Sequence, residues 1–186
     1  KFLGDDGWAW PVLEGHLDEE SICYCVGAGD NISYDIALYT NYNSNVFIID
    51  PTEYAFEKAR KKLFDPKNIL NPNKIKFIKT ALSDEDGKVE FRRNQSGNSY
   101  SIVKNSKQHK SEYGVINDIL DERIEIDIIN VEFHGEWLQN GWNKCATYKD
   151  LRNIIEKIEK KNKYIKIYQH ENREYMFVKD KISKKI

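Results

Sequence analysis

The sequence predicts an α/β fold: a doubly wound, mostly parallel sheet closed by a C-terminal antiparallel hairpin. Three observations carry that prediction. Short apolar runs alternate with helical patterns along most of the chain, the order that places helices against a sheet. Two of the runs, Ile22–Val26 and Val46–Ile49, enclose a Gly-x-Gly turn and a helical pattern. Near the C-terminus, Tyr164–Tyr168 and Tyr175–Val178 are separated by the turn-forming stretch His170–Arg173, the signature of a hairpin.

The glycine turn is the most informative stretch. Ile22-Cys23-Tyr24-Cys25-Val26 runs into Gly27-Ala28-Gly29-Asp30-Asn31, and the second apolar run ends on Asp50, twenty-one positions past Gly29. A strand that stops at glycines lets a ligand approach bare backbone. The helix that follows offers unpaired N–H groups and a positive dipole end. An acid closing the next strand is placed to accept hydrogen bonds from ribose hydroxyls. Together these describe a Rossmann-like site for an adenosine-containing cofactor. A dinucleotide fingerprint needs a third glycine where Ile32 stands, so a nicotinamide cofactor is disfavoured. The looser turn suits S-adenosylmethionine, which has no phosphates to cradle. The bland alternative is an ordinary strand–turn–helix connection with a solvated Asp50.

The remaining elements follow in order. Gly4 to Pro11 is rich in turn formers and carries two tryptophans; within residues 1–20 it is either an aromatic lid or a segment capping an apolar edge. After the turn, Asn31 or Ser33 is a candidate N-cap, Ile32, Ile36 and Tyr39 a candidate inner face, and Asp35 a surface residue. Thr52 is a good N-cap for a helix with Glu53 in its first turn, a Phe56, Ala59, Leu63 stripe and a Glu57–Lys61 surface pair. Lys74–Ile78 reads as a third strand, with Ala81 and Leu82 at its carboxyl end, the edge that faces the crevice in open α/β sheets. Lys88–Arg92 alternates as a further strand, and residues 93–114 form a polar loop, either a substrate flap or a mobile insertion. Ile124–Phe133 is an apolar run suited to the middle of a parallel sheet. It opens into Glu132, Phe133 and His134, where carboxylate and imidazole would either deprotonate a nucleophile or form a structural ion pair. Thr147-x-x-Asp150 begins a helix with Leu151, Ile154, Ile155 and Ile158 on one face.

Composition sets wide bounds. The 186 residues suit a single domain, 1–186, and 29 basic against 30 acidic residues give a net charge of −1. That balance supplies no strong nucleic-acid signal. Three cysteines cannot all pair, and Cys23 and Cys25 share one face of a strand, which points to a reducing, cytoplasmic setting. No apolar stretch approaches a membrane span. The chain starts at Lys1, which leaves room for an upstream signal or anchor. Oligomeric state is not legible. Nothing near His134 has metal-ligand spacing, so no metal is expected.

Val26 to Leu38 followed by Ile49-Asp50-Pro51-Thr52 resembles the cofactor segment of FkbM-like methyltransferases. Ala81-Leu82-Ser83-Asp84 with Asp86-Gly87-Lys88, and Val115–Leu120 with Ile126–Gly135, resemble later passages of that family. The resemblance implies the class I S-adenosylmethionine-dependent methyltransferase fold and O-methylation of a hydroxyl on a small molecule or glycan. It implies Gly27, Gly29 and Asp30 at the cofactor, Asp50 at its ribose, Ala81 and Leu82 near the adenine, and Glu132 in the place of the family's strand-end aspartate beside the methyl group; His134 or Glu132 is the expected catalytic base. Asn130, Glu132 and His134 stand where the family carries lysine, aspartate and glutamate. Glu132-Phe133-His134 also matches a later Glu-x-His strand end of the family, and the two registers assign catalysis differently. The alternative function is a catalytically degenerate cofactor-binding or interaction module of the same fold.

Overall fold

The computed structural model describes residues 1–81, 91–93, 100–102, 120–121, 126–133, 148–171 and 174–183. Leu82, His134, the Asp84–Gly87 turn, Thr147 and most of the 93–114 loop lie outside them. The chain divides into two compact units, Lys1–Leu82 with Phe91–Ser101, and Ser83–Glu90 with Ile102–Ile186.

The first unit is built on a parallel sheet. Its strands are β3 (Ile22–Val26), β4 (Asn45–Ile49) and β5 (Ile75–Ile78), in that order across the sheet. A short antiparallel pair, β1 (Phe2–Leu3) and β2 (Trp10–Pro11), precedes them. In-register pairing of Val26 with Ile49 and Ile49 with Ile78 brings all three strands to a common carboxyl edge. Helices α1 (Ser33–Tyr42) and α2 (Glu53–Leu63) are the crossovers. Strand period two sends Val46 and Ile48 into a core with Ile32, Leu38, Ala55 and Ala59. Leu3 and Val12 join that core, whereas Trp8 is exposed. Ile22, Tyr24 and Val26 point the other way and are exposed.

Three details of this unit differ from the sequence expectations. Asp35 is not a surface residue: it is 5 % exposed, because helical period carries the Ile32–Leu38 stripe through position 35. The N-cap of α1 is Ile32 with no side-chain cap, while Asn31 Oδ1 accepts from Ser33 N–H at 2.8 Å. Glu57 pairs with Arg60 at 3.0 Å, one of the two neighbours a helix offers it. Thr52 does cap α2, its hydroxyl oxygen accepting from Ala55 N–H at 3.1 Å.

β6 (Phe91–Arg93) and β7 (Tyr100–Ile102) pair with one another. The second unit holds an antiparallel sheet of β8 (Ile128–Glu132), β9 (Tyr164–His170) and β10 (Glu174–Lys179), with β10 in the centre. The hairpin foreseen in the sequence is β9–β10. The position foreseen for β8, inside a parallel run, is not what forms: β10 lies antiparallel along its whole length, Val178 opposite Ile128 and Glu174 opposite Glu132. A continuous apolar run reports burial and carries no information on the direction of its neighbours. The helix Tyr148–Glu156 continues into a π-helical turn, Lys157–Lys161. Leu151, Ile154 and Ile158 pack with Phe133, Tyr175 and Phe177 as the core of this unit, at the spacing the sequence predicted.

Candidate cofactor site at the glycine turn

The carboxyl edge of the parallel sheet is where this chain assembles polar backbone and an acid. Gly27 follows β3 directly with φ +85°, and Gly29 has φ +54°, conformations that L side chains rarely adopt. A Cβ built on either glycine meets no heavy atom within 4 Å. The glycines are therefore required by backbone conformation, and the space above them is open to a ligand. Gly27 N–H donates to Ile49 O at 2.9 Å, fastening the turn to the end of β4.

Asp50, the residue that follows β4, fastens the rest. It is 7 % exposed. Its Oδ2 accepts from Gly29 N–H at 3.2 Å. Its Oδ1 accepts from Thr52 N–H at 2.9 Å and from the Thr52 hydroxyl at 2.7 Å. Its own N–H donates to Ile78 O at 3.2 Å, the carbonyl that also accepts from Thr80 N–H at 2.9 Å. One residue thus links the glycine turn, the start of α2 and the exit of β5, where Ala81 follows. An ionised carboxylate offers about four acceptor positions; three are used, so a further donor can be accommodated. The α1 N-terminus adds the positive end of a helix dipole beside the turn.

Of the residues expected at a cofactor, the structure brings together Gly27, Gly29 and Asp50; the half-buried Ala81 follows Thr80, whose N–H shares the Ile78 carbonyl with that of Asp50. Asp30 is exposed on the turn itself. Leu82 lies outside the described residues. Glu132 is the last residue of β8, half-buried and opposite Glu174; it belongs to the second unit, and His134 lies outside the described residues. A buried acid with spare acceptor capacity beneath an open glycine turn fits a ligand carrying hydroxyl donors. Among the described residues no group of three His, Cys, Asp or Glu side chains could hold a metal ion, and no helix is long and apolar enough to cross a membrane.

Sequence reasoning missed two residues here. Thr52 was seen as a cap, yet its hydroxyl also donates to Asp50; the Asp-x-Thr spacing is the signal, since an Asx-turn and an N-cap share it. The second is Asp35, expected at the surface and in fact 5 % exposed. Its position three residues after Ile32 and three before Leu38 was the available clue.

No protein-family model matches the chain. No curated protein matches it. Among solved structures, an rRNA methylase from Streptococcus thermophilus matches with a TM-score of 0.51 and 18% identity, over 88% of this chain and 89% of that one. The match corrects the expectation of a small-molecule or glycan acceptor, because the protein sharing the fold is described as acting on rRNA. At this identity the likeness speaks to fold, and the fold it shows for this chain is that of a methyltransferase.

Proposed function

We propose that this protein is an S-adenosylmethionine-dependent methyltransferase acting on RNA. The observation that carries the cofactor reading is the hydrogen bond from Gly29 to Asp50 beneath an open glycine turn, at the carboxyl edge of a parallel sheet. RNA as acceptor is taken from the description of the structural neighbour. Bound S-adenosylmethionine would supply an electrophilic methyl group. The chain's own part is to hold and orient: Gly27 and Gly29 present backbone, and Asp50 accepts hydroxyl donors with its remaining lone pairs. Glu132 and His134 are the proposed proton acceptors. The FkbM-like resemblance of the Val26–Leu38 and Ile49–Thr52 segments supports the same cofactor.

The test is transfer of a labelled methyl group from S-adenosylmethionine to RNA, with Asp50→Ala and Glu132→Gln variants alongside. Label should enter RNA with the wild type, fall with both variants, and cofactor affinity should fall only with Asp50→Ala. Cofactor binding without transfer to RNA would overturn the acceptor while leaving the cofactor site standing. Absence of cofactor binding would overturn the reading as a whole.

A further inference from the structure

The second unit carries a groove of about 590 Å³ between the helix Tyr148–Glu156, with its π-helical turn, and the outer strand β9. Leu151, Ile155 and Tyr175 supply its apolar lining, and Arg152, Lys166 and Gln169 face it with polar groups. β9 reaches the groove through an irregularity. Lys166 pairs with Phe177 and Tyr168 with Met176, so Ile167 is an extra residue, a β-bulge. Residues three apart on a regular strand face opposite sides of a sheet. The bulge turns Lys166 and Gln169 to the same side, the one that holds Tyr175, Phe177 and the helix. There Lys166 Nζ donates to Gln169 Oε1 at 2.9 Å and stands 5.7 Å from the centre of the Tyr175 ring. The opposite wall is irregular as well, because the π-helical turn Lys157–Lys161 contributes Glu159 and Lys160. Both kinds of interruption recur beside functional sites, and here the two meet on one groove.

Charge indicates the ligand. Lys160 pairs with Glu156 at 2.7 Å. The exposed Arg152 and Lys166 pair with no carboxylate among the described residues. Glu159 is the opposing charge, which leaves three cations against two carboxylates around the groove. Lys161 and Lys163, both exposed, extend the positive side along the turn into β9. Residues 148–186 hold twelve Lys and Arg against six Asp and Glu, in a chain whose net charge is −1. The excess of cations is therefore local, the distribution that a polyanion reads. We propose that this groove binds single-stranded RNA, with Arg152 and Lys166 against phosphates and Leu151 and Ile155 beneath a base. This names a contact for the acceptor away from the glycine turn and rests on the reading of RNA as that acceptor. Duplex RNA turns its bases inward and offers mainly phosphate and ribose, whereas an apolar lining accommodates the exposed base of a single strand.

The experiment is fluorescence anisotropy of a labelled single-stranded RNA of about 12 nucleotides, titrated with the full chain from about 0.05 to 0.2 M salt. Wild type is compared with Arg152→Gln, Lys166→Gln, their combination and Lys67→Gln. Both groove cations are exposed, and circular dichroism checks that the double variant keeps its fold. Each phosphate contact on a single strand carries a slope of about 0.7 in log affinity against log salt, or about fivefold at 0.1 M. The double variant should bind about 25-fold more weakly at 0.1 M salt, with a slope smaller by about 1.4. Lys67→Gln removes an exposed cation of the first unit and should change neither quantity. Unchanged affinity and slope in the double variant, or an equal loss in Lys67→Gln, would overturn the proposal. So would duplex RNA or poly-glutamate bound as tightly as the single strand. RNA held through Arg152 and Lys166 without methyl transfer would leave the groove standing and remove the reading of RNA as acceptor. A wild type that binds no RNA at 0.05 M salt would overturn both.

Discussion

Replacing Asp35 by Asn should stabilise the first unit at neutral pH and cease to do so in acid. The folded carboxyl sits at about 6 against 3.8 for the free group, raised chiefly by burial. A carboxylate raised on folding binds more protons in the native state, so its ionisation opposes folding at high pH. The cost is fully present above about pH 6 and is relieved as pH falls through the folded value towards 3.8. At about 1.4 kcal/mol per unit the whole displacement is worth about 3 kcal/mol, of which about 2 kcal/mol falls between pH 4.5 and 7.5. An Asn of nearly the same shape does not titrate. Denaturant unfolding of both proteins across that range, followed by circular dichroism, gives the difference directly. The Asn variant should gain on the wild type by about 2 kcal/mol as pH rises from 4.5 to 7.5. A difference that is constant with pH, or one that moves the other way, refutes the argument that burial dominates at this position.

Two further substitutions test packing and capping. Thr52→Ala removes both the α2 cap to Ala55 and the hydroxyl donor to Asp50, and should cost about 1–2 kcal/mol in the same unfolding assay. Phe177→Ala, at a position with 0% exposure in the core of the second unit, should cost about 3–5 kcal/mol and leave hydrogen exchange at Gly27 and Gly29 unchanged.

How far the sequence reaches is clear from particular elements. The β3–turn–α1–β4–Asp50 segment was legible because each part obeys a local rule: an apolar run, glycines forced by positive φ, an acid at fixed spacing. Thr52 and the Leu151–Ile158 stripe were legible for the same reason. Asp35 was not, because residue type argued for solvent while position on the helix argued for the core, and packing decided. β8 was not, because strand direction depends on which segment arrives beside it, here β10 of the final hairpin, a tertiary fact with no local signature. Glu132 was placed correctly at a strand end, yet a role in catalysis depends on neighbours that no spacing rule names.

The central claim is that the open glycine turn with Asp50 is a site for S-adenosylmethionine, and calorimetric titration of wild type and Asp50→Ala with that cofactor and with NAD tests it most directly. The account predicts that the wild type binds S-adenosylmethionine in preference to NAD. It predicts that Asp50→Ala weakens this binding by about 1–3 kcal/mol, the loss of a buried acceptor. Binding of NAD instead, or S-adenosylmethionine affinity untouched by Asp50→Ala, would contradict it.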